Sequence, residues 1–368
     1  MRILHCADIH LDSAMTSNLD RDKARERKRE LLASFKDMVG YALKENINNI
    51  IIAGDLFDTR NISAGARKEV YKIIVNNPEV TFYYLQGNHD NGSFVSSLEE
   101  IPDNLKMFGR EWTSYTISTS GKNVVISGVE LDCDNAGSIY SSLSLNVENY
   151  NIVVLHGQEA SHISKNNAQV ISLKDLKNKG IDYLALGHVH EYSMGQLDAR
   201  GIYCYSGCLE GRGFDEAGEH GFVVLDIDDI SGKTETTFIP FARRNVYVAQ
   251  VDVTGCESTF DMKKRVEEYL DTAGYARESL VKIELTGSLD VECEKDTEYI
   301  CKQFEDTFYV FKIKDMTTFM VDYMSFEHDV SLKGEFIRNV MSKDNISEED
   351  KSAIIRFGLQ ALRGEEIG

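Results

Sequence analysis

Along the first two thirds of the chain, short apolar runs alternate with stretches whose apolar residues recur every three or four positions. Bounded apolar runs predict buried strands, and the wider spacing predicts amphipathic helices. Arg2–Ala7, Asn49–Ala53, Val80–Leu85, Val124–Glu130, Asn151–Leu155 and Tyr183–Leu186 read as strands, with Tyr203–Ser206 and Gly221–Asp226 as later ones. Asp20–Glu45 reads as a long helix with Leu31, Leu32, Phe35, Met38, Val39 and Ala42 on one face. Ala64–Val75 and Leu173–Lys179 read as shorter helices. This alternation predicts an α/β fold, with sheets covered by helices.

The pattern changes near Pro240. Val246–Val253, Leu280–Leu285 and Tyr309–Lys314 read as strands separated by helices over Phe260–Tyr269 and Glu298–Phe304, a small α+β domain. From Ser331 only helix is written. Leu332, Phe336, Ile337, Val340 and Met341 form one stripe. A second helix follows Ser347, with Asp350 as its capping-box partner, carries Ile354, Ile355, Leu359 and Leu362, and stops at Gly364. The expected division is 1–240, 241–325 and 326–368, the last a helical segment whose stripes need either their own domains or a partner helix pair to cover them.

Composition narrows the class. A chain of 368 residues, 42% hydrophobic and 27% charged, fits a soluble protein of two or three domains. No apolar run approaches the length of a membrane helix, so no membrane partner is expected. The N-terminus reads as a strand rather than a leader. The 7 cysteines are scattered and include no CxxC, which points to reduced thiols in a cytoplasmic protein. Lys and Arg number 40 against 60 Asp and Glu, a net charge of −20. That excludes indiscriminate nucleic-acid binding through a basic surface, though not a local groove or a basic partner.

The candidate chemistry lies at strand ends. Asp8-Ile9-His10, Gly54-Asp55, Gly87-Asn88-His89-Asp90, His156-Gly157 and Gly187-His188-Val189-His190 each close a predicted strand with Asp, Asn or His. In α/β sheets the carboxyl ends of strands form the crevice where ligands bind. Two carboxylates, four imidazoles and an amide oxygen are too many ligands for one ion. They suit two ions about 3.5–4 Å apart that share a carboxylate. Mixed N/O donors without thiolate favour Mn, Fe or Zn. A water bridging such ions loses a proton near neutral pH and becomes a nucleophile, so phosphate-ester hydrolysis is the natural reaction.

These five clusters, in this order, resemble the calcineurin-like metallophosphoesterases over roughly residues 1–240. The resemblance implies a β-sandwich flanked by helices, with a small capping domain and C-terminal helices. It implies one ion on Asp8, His10, Asp55 and His190, and a second on Asp55, Asn88, His156 and His188. His89 would then stabilise the transition state or protonate the leaving oxygen, with Asp90 orienting it. The stretch Gly54-Asp55-Leu56-Phe57-Asp58-Thr59-Arg60, with Ser63, Ala66-Arg67 and Tyr71, is similar to the SbcD-type DNA exonucleases, particularly the YhaO-like bacterial members. So are the stretch Ser206–Glu216 and the small domain near residue 245. That branch implies Mn2+, a DNA substrate and an SbcC-type coiled-coil ATPase as partner; a homodimer is a further association left open by the sequence. Archaeal and eukaryotic relatives often carry a histidine in place of Asp58, one that supports exonuclease activity; Asp58 follows the bacterial pattern.

Other features carry less. Arg21, Lys23, Arg25, Arg27, Lys28 and Arg29 form a basic stretch, read chiefly as a salt-bridged helix face and otherwise as a DNA-phosphate contact. Arg212 is open between a phosphate contact and a surface turn. Trp112, Tyr83, Tyr84, Tyr203 and Tyr205 read as core, and His5, His162 and His220 as structural. The competing functions are a small-nucleotide phosphodiesterase, which the acidic charge favours, and a non-catalytic DNA-end or ATPase-binding scaffold.

Overall fold

The structure is a computed structural model that describes all residues except 16–18, 59–61, 91–92, 133–134, 136–137, 160–169, 291–292, 321–325 and 364–368. Thr59, Arg60, His162 and Gly364, named above, lie outside the described residues. Two compact units divide the chain, Met1–Asn245 and Val246–Gly368.

The first unit holds two six-stranded sheets. One contains β1 (Arg2–Cys6), β2 (Asn49–Ala53), β3 (Thr81–Leu85) and β4 (Leu105–Met107), parallel to one another. The other contains β5 (Thr113–Ile117), β6 (Val124–Gly128) and β7 (Tyr150–His156). A short pair, β8 (Gln158–Glu159) and β9 (Val170–Ile171), follows. β10 (Tyr183–Gly187) pairs parallel with β7 and with β12 (Ile202–Tyr205), and β11 (Ser193–Gln196) closes that edge. β13 (Gly221–Ile227) and β14 (Thr234–Pro240) return antiparallel to extend the first sheet beside β1.

Period-two alternation assigns each strand's side chains. Ile3, Ala7, Ile51 and Ala53 face Ile126, Ile152, Val154 and Ala185 in the core between the sheets. Leu4, Cys6, Ile50, Ile52 and Phe82 face outward onto helices. There α1 (Arg21–Lys44) buries Leu31, Phe35, Met38 and Ala42, and Asp20 caps it by accepting from the Asp22 and Lys23 amides. α2 (Ala64–Val75) buries Val70, Ile73 and Ile74, and the single-turn α3 (Ser93–Ser96) follows β3. The helix expected over Leu173–Lys179 is only α4 (Leu173–Leu176). It stops early because Lys177 is extended and Asn178 adopts a left-handed conformation, its amide donating to Asp198. The edge strands β4, β5, β11 and β14 were not legible as apolar runs, being short or only half-buried.

The second unit contains a parallel sheet of β15 (Val246–Asp252), β16 (Leu280–Thr286) and β18 (Val310–Asp315). α5 (Thr259–Ala273) and α6 (Thr297–Phe304) are the crossovers, and β17 (Ser288–Asp290) pairs with β19 (Thr318–Met320). α7 (Leu332–Met341) and α8 (Glu348–Arg363) complete it. These two helices pack together through Ile337, Val340, Ile355 and Leu359. Phe336 and Met341 pack partly buried against them, and three members of the expected stripes stay out: Leu332 is 68% exposed, Ile354 40% and Leu362 48%. Among the described residues no helix is long and apolar enough to cross a membrane.

Candidate metal centre

The loops that follow β1 and β2 run side by side. Asp8 N donates to Gly54 O, His10 N to Asp55 O, and Leu11 N to Leu56 O. In the other sheet Gly157 N donates to Gly187 O, which joins the loops after β7 and β10. The two pairs of loops meet where His156 Nδ1 lies 2.9 Å from Ala53 O. Backbone groups thus bring four of the strand ends to one edge of the sandwich, and Asp55 brings the fifth, its carboxylate accepting from His89 N at 2.8 Å.

The side chains converge accordingly. His10 Nε2 and His190 Nε2 are 3.1 Å apart, and Asp8 Oδ1 lies 4.0 and 3.9 Å from them. Asp55 Oδ2 lies 3.9 Å from His10 Nε2 and 3.3 Å from His156 Nε2. Asn88 Oδ1 is 3.0 Å from His156 Nε2 and 3.1 Å from His188 Nδ1. Asp8, His10, Asp55, Asn88, His156, His188 and His190 are therefore one cluster, with Asp55 reaching both halves. The carboxylates of Asp8 and Asp55 and the ring of His10 are about 1% exposed or less. Asp8, His10, Asp55 and His188 adopt positive φ of 50°, 49°, 51° and 97°. Non-glycine residues hold such angles at a cost of order 1–3 kcal/mol each, and such strain gathers at functional sites. A Cβ on Gly54 would strike the His156 ring, and one on Gly87 would strike Asp55, so the glycines admit close approach of side chains.

Charge is shared unevenly. Burial works against ionising Asp55, but His156 beside it outweighs burial and holds the carboxyl well below the usual range. In return His156 is raised to about 9, burial opposing and Asp55 prevailing. Burial, with the His156 charge, lowers His188. Oxygen and imidazole donors, none of them thiolate, facing one another this closely suit borderline divalent cations. The donor set fits the ions that the sequence implied.

His89 stands at the rim, its side chain 44% exposed. Asp90 does not orient it. The Asp90 carboxylate accepts from the Leu56, Phe57 and Gly87 amides and braces the turn, and burial followed by the Asp55 charge raises it to about 6. Asp90 turns inward to meet these three amides, for which the described residues supply no other acceptor. The residue at His89 is Asp58: its backbone carbonyl lies 3.0 Å from His89 Nδ1, and its carboxylate 3.7 Å. Asp58 Oδ1 also lies 3.0 Å from His10 Nδ1 and accepts from Arg212 at 2.7 Å. Glu216 was missed as a site residue; its Oε1 lies 2.6 Å from His190 Nδ1. The signal for it was an acid four residues beyond Arg212 in a glycine-rich loop.

Arg212 is no surface turn: burial disfavours its charge, but Glu216 and Asp58 stabilise it. The basic stretch of α1 is split. Arg27 is fully buried on Glu210 at 3.0 Å and Lys28 pairs with Asp12 at 2.6 Å, while Arg21, Arg25 and Arg29 are exposed. His5 and His220 are buried with internal partners, Tyr183 and Cys208. Trp112 donates to Ile139 O beside the core.

A two-sheet α/β sandwich with acid, amide and imidazole donors at its strand ends defines a metal-dependent phosphoester hydrolase. The family model for calcineurin-like phosphoesterases matches residues 1–192, more than half of the chain, and the chain belongs to that family. It is 25% identical over 280 residues to the uncharacterized metallophosphoesterase YhaO of Bacillus subtilis, covering 73% of this chain and 67% of the relative. It is 26% identical over 200 residues to the DNA double-strand break repair protein Mre11 of Saccharolobus solfataricus, covering 52% and 49%. It is 29% identical over 105 residues to the SbcD component of the SbcCD nuclease of Rhodobacter capsulatus, covering 27% and 24%. The match thus spans about half the length of the Mre11 relative and a quarter of the SbcCD component.

Proposed function

We propose that this chain hydrolyses DNA phosphodiester bonds, as exonuclease and also endonuclease, in repair or recombination beside an SbcC-type coiled-coil ATPase. The observation that carries the reading is the convergence of seven donor residues from five strand ends on one edge of the sandwich. Asp8, His10, Asp55 and His190 would hold one ion, and Asp55, Asn88, His156 and His188 the other. Divalent ions bound there, Mn2+ foremost, with Fe and Zn suited to the same donors, neutralise phosphate oxygens and activate water for in-line attack.

The protein's own groups do the rest. The His188 amide donates to both oxygens of Asp8, at 3.1 and 2.8 Å, and fixes that carboxylate. Ala53 O, accepting from His156 Nδ1–H, turns Nε2 toward the site. His89, with Nδ1–H donated to Asp58 O, delivers a proton from Nε2 to the leaving oxygen. DNA as substrate is supported by the Mre11 and SbcCD relatives. The ATPase is supported by the exposed Leu332, Ile354, Phe357 and Leu362, which remain after α7 and α8 have buried Ile337 and Ile355 in each other. Large apolar side chains left in water favour a partner. Such a partner would also supply the basic DNA-binding surface that a net charge of −20 lacks.

That same charge favours a second reading, a phosphodiesterase of small nucleotides. One assay separates them: degradation of duplex DNA ends with Mn2+, beside hydrolysis of a small chromogenic phosphodiester. Loss of DNA, abolished by His89→Ala, is expected. Turnover of the small ester alone, with DNA intact even when the ATPase is added, would select the second reading.

A further inference from the structure

Behind the histidines of the site runs a chain of alternating charges. Asp58 Oδ1 lies 3.0 Å from His10 Nδ1 and accepts from Arg212 Nη1 at 2.7 Å. Arg212 continues to Glu216, donating from Nη2 at 2.7 Å and Nε at 3.1 Å. Glu216 Oε1 lies 2.6 Å from His190 Nδ1. The chain closes on itself, because the Nε2 atoms of His10 and His190 face each other 3.1 Å apart. Three of the Arg212 nitrogen atoms are engaged by these two carboxylates, so a phosphate contact is not its first use.

The loop bearing this chain is held in place. The Arg212 amide donates to Glu216 Oε2 at 2.8 Å, and His220, buried, lies with Nε2 2.8 Å from Glu216 O. At the loop's start, buried Glu210 accepts from Arg27 at 3.0 Å, Ser34 at 2.5 Å and the Arg243 amide at 2.7 Å.

A carboxylate behind a ligating imidazole fixes the proton on Nδ1, aims Nε2 at the ion and raises its basicity. Ordinarily each histidine has its own such partner. Here one guanidinium, whose planar fork holds its donors in fixed geometry, joins the two carboxylates. Displacing either carboxylate releases the fork and with it the other.

We propose that Asp58, Arg212 and Glu216 form one positioning unit, in which Arg212 locks the two carboxylates that set the rings of His10 and His190. The affinity of that ion position then depends on the three residues together. This rests on the two-ion reading above.

The test is Mn2+ titration calorimetry on the full chain: wild type, Asp58→Asn, Glu216→Gln, the double variant, and Arg212→Met and Arg212→Lys. Metal-free melting curves accompany each. Two binding events are expected in the wild type. Each single substitution weakens one event by about 10–100-fold and leaves the other in place, the range for residues that support metal ligands. The double variant is no weaker than the worse single. Arg212→Lys, which keeps the charge without the fork, behaves as Arg212→Met does. Effects of Asp58→Asn and Glu216→Gln that multiply in the double variant would overturn the unit, as would intact binding in Arg212→Met. The Arg212 and Asp58 variants decide the matter even where Glu216→Gln loses its melting transition. A wild-type chain that binds no Mn2+ would instead sink the two-ion reading and the unit with it.

Discussion

Both compact units contain parallel strands joined by helices, and in both a carboxylate stands at strand ends. In the first unit Asp8 and Asp55 are buried, on left-handed backbone, and their oxygens accept amides from distant loops, His188 and His89. In the second, Asp252 ends β15 and Asp315 ends β18. Asp252 Oδ1 accepts from Thr254 N and Oγ1, and Asp315 Oδ1 from Thr317 N and Oγ1. Each closes its own turn, as Asp does wherever a chain reverses. Among the described residues every cluster of three or more metal-type donors lies in the first unit. An acid at a strand end is therefore not a site by itself. It becomes one when several loops converge, when water is excluded, and when local turn bonds give way to long-range ones.

Substitutions can break or sharpen this contrast. The largest effect is expected at Asp55. Asp55→Ala removes the one carboxylate that reaches both halves of the donor set, so hydrolysis of a chromogenic phosphodiester falls to background and both calorimetric Mn2+ events vanish. Asp252→Ala leaves both measurements unchanged. Residual turnover in Asp55→Ala would erase the distinction between the units.

His89→Ala comes next. Turnover should fall by about 10²–10⁴ while metal content holds, the expectation for loss of a general acid. If the purified variant lacks an ion, His89 belongs among the ligands instead.

Buried charge in the first unit also stabilises the fold. Arg27→Met leaves Glu210 buried beside an apolar side chain, and breaking such a pair costs about 3–5 kcal/mol, measurable as a lower urea midpoint. The pair Lys264–Glu268 on α5 is two-thirds exposed, and Lys264→Met should not shift the same midpoint. Equal effects would mean that burial is not what separates the units.

The last effect, absent at neutral pH, concerns His5, fully buried on β1 with Nδ1 2.9 Å from the Tyr183 hydroxyl. Burial lowers it from 6.5 to about 3. Between those values the unfolded chain binds the extra proton, so stability is complete above about pH 6.5 and falls as the pH drops toward 3. The slope approaches about 1.4 kcal/mol per pH unit. His5→Gln should flatten the acid limb of a melting-temperature profile; an unchanged limb would show that His5 is not its source.

The ligand clusters were readable because they are local: Asp8 with His10, and His188 with His190, sit two apart at the ends of unmistakable apolar strands. The helix Arg21–Lys44 was readable for the same reason, since a 3.6-residue period needs no partner to be seen. The Asp90 assignment failed because adjacency in sequence does not imply contact. In a tight turn the next side chain can point inward to the orphaned amides of Leu56, Phe57 and Gly87, as this one does. The C-terminal stripe was visible, but not which of its residues would be buried: Ile337 and Ile355 are, and Leu332 and Ile354 are not. Helical periodicity marks a face, and the partner decides how much of that face is covered.

By itself the sequence determined the alternation of strand and helix, the family, and the donor types that gather at the strand ends, because each is carried by short-range spacing. Only the tertiary structure decided that Asp58 rather than Asp90 stands at His89, that Arg27 is a core ion pair, and that Glu216 backs His190. Those contacts join residues on separate loops, such as Asp58 with Arg212 across 154 positions. Hydrogen bonds and ion pairs act over a few ångströms of space whatever the length of chain between them, so their partners are fixed only when the sheets have closed.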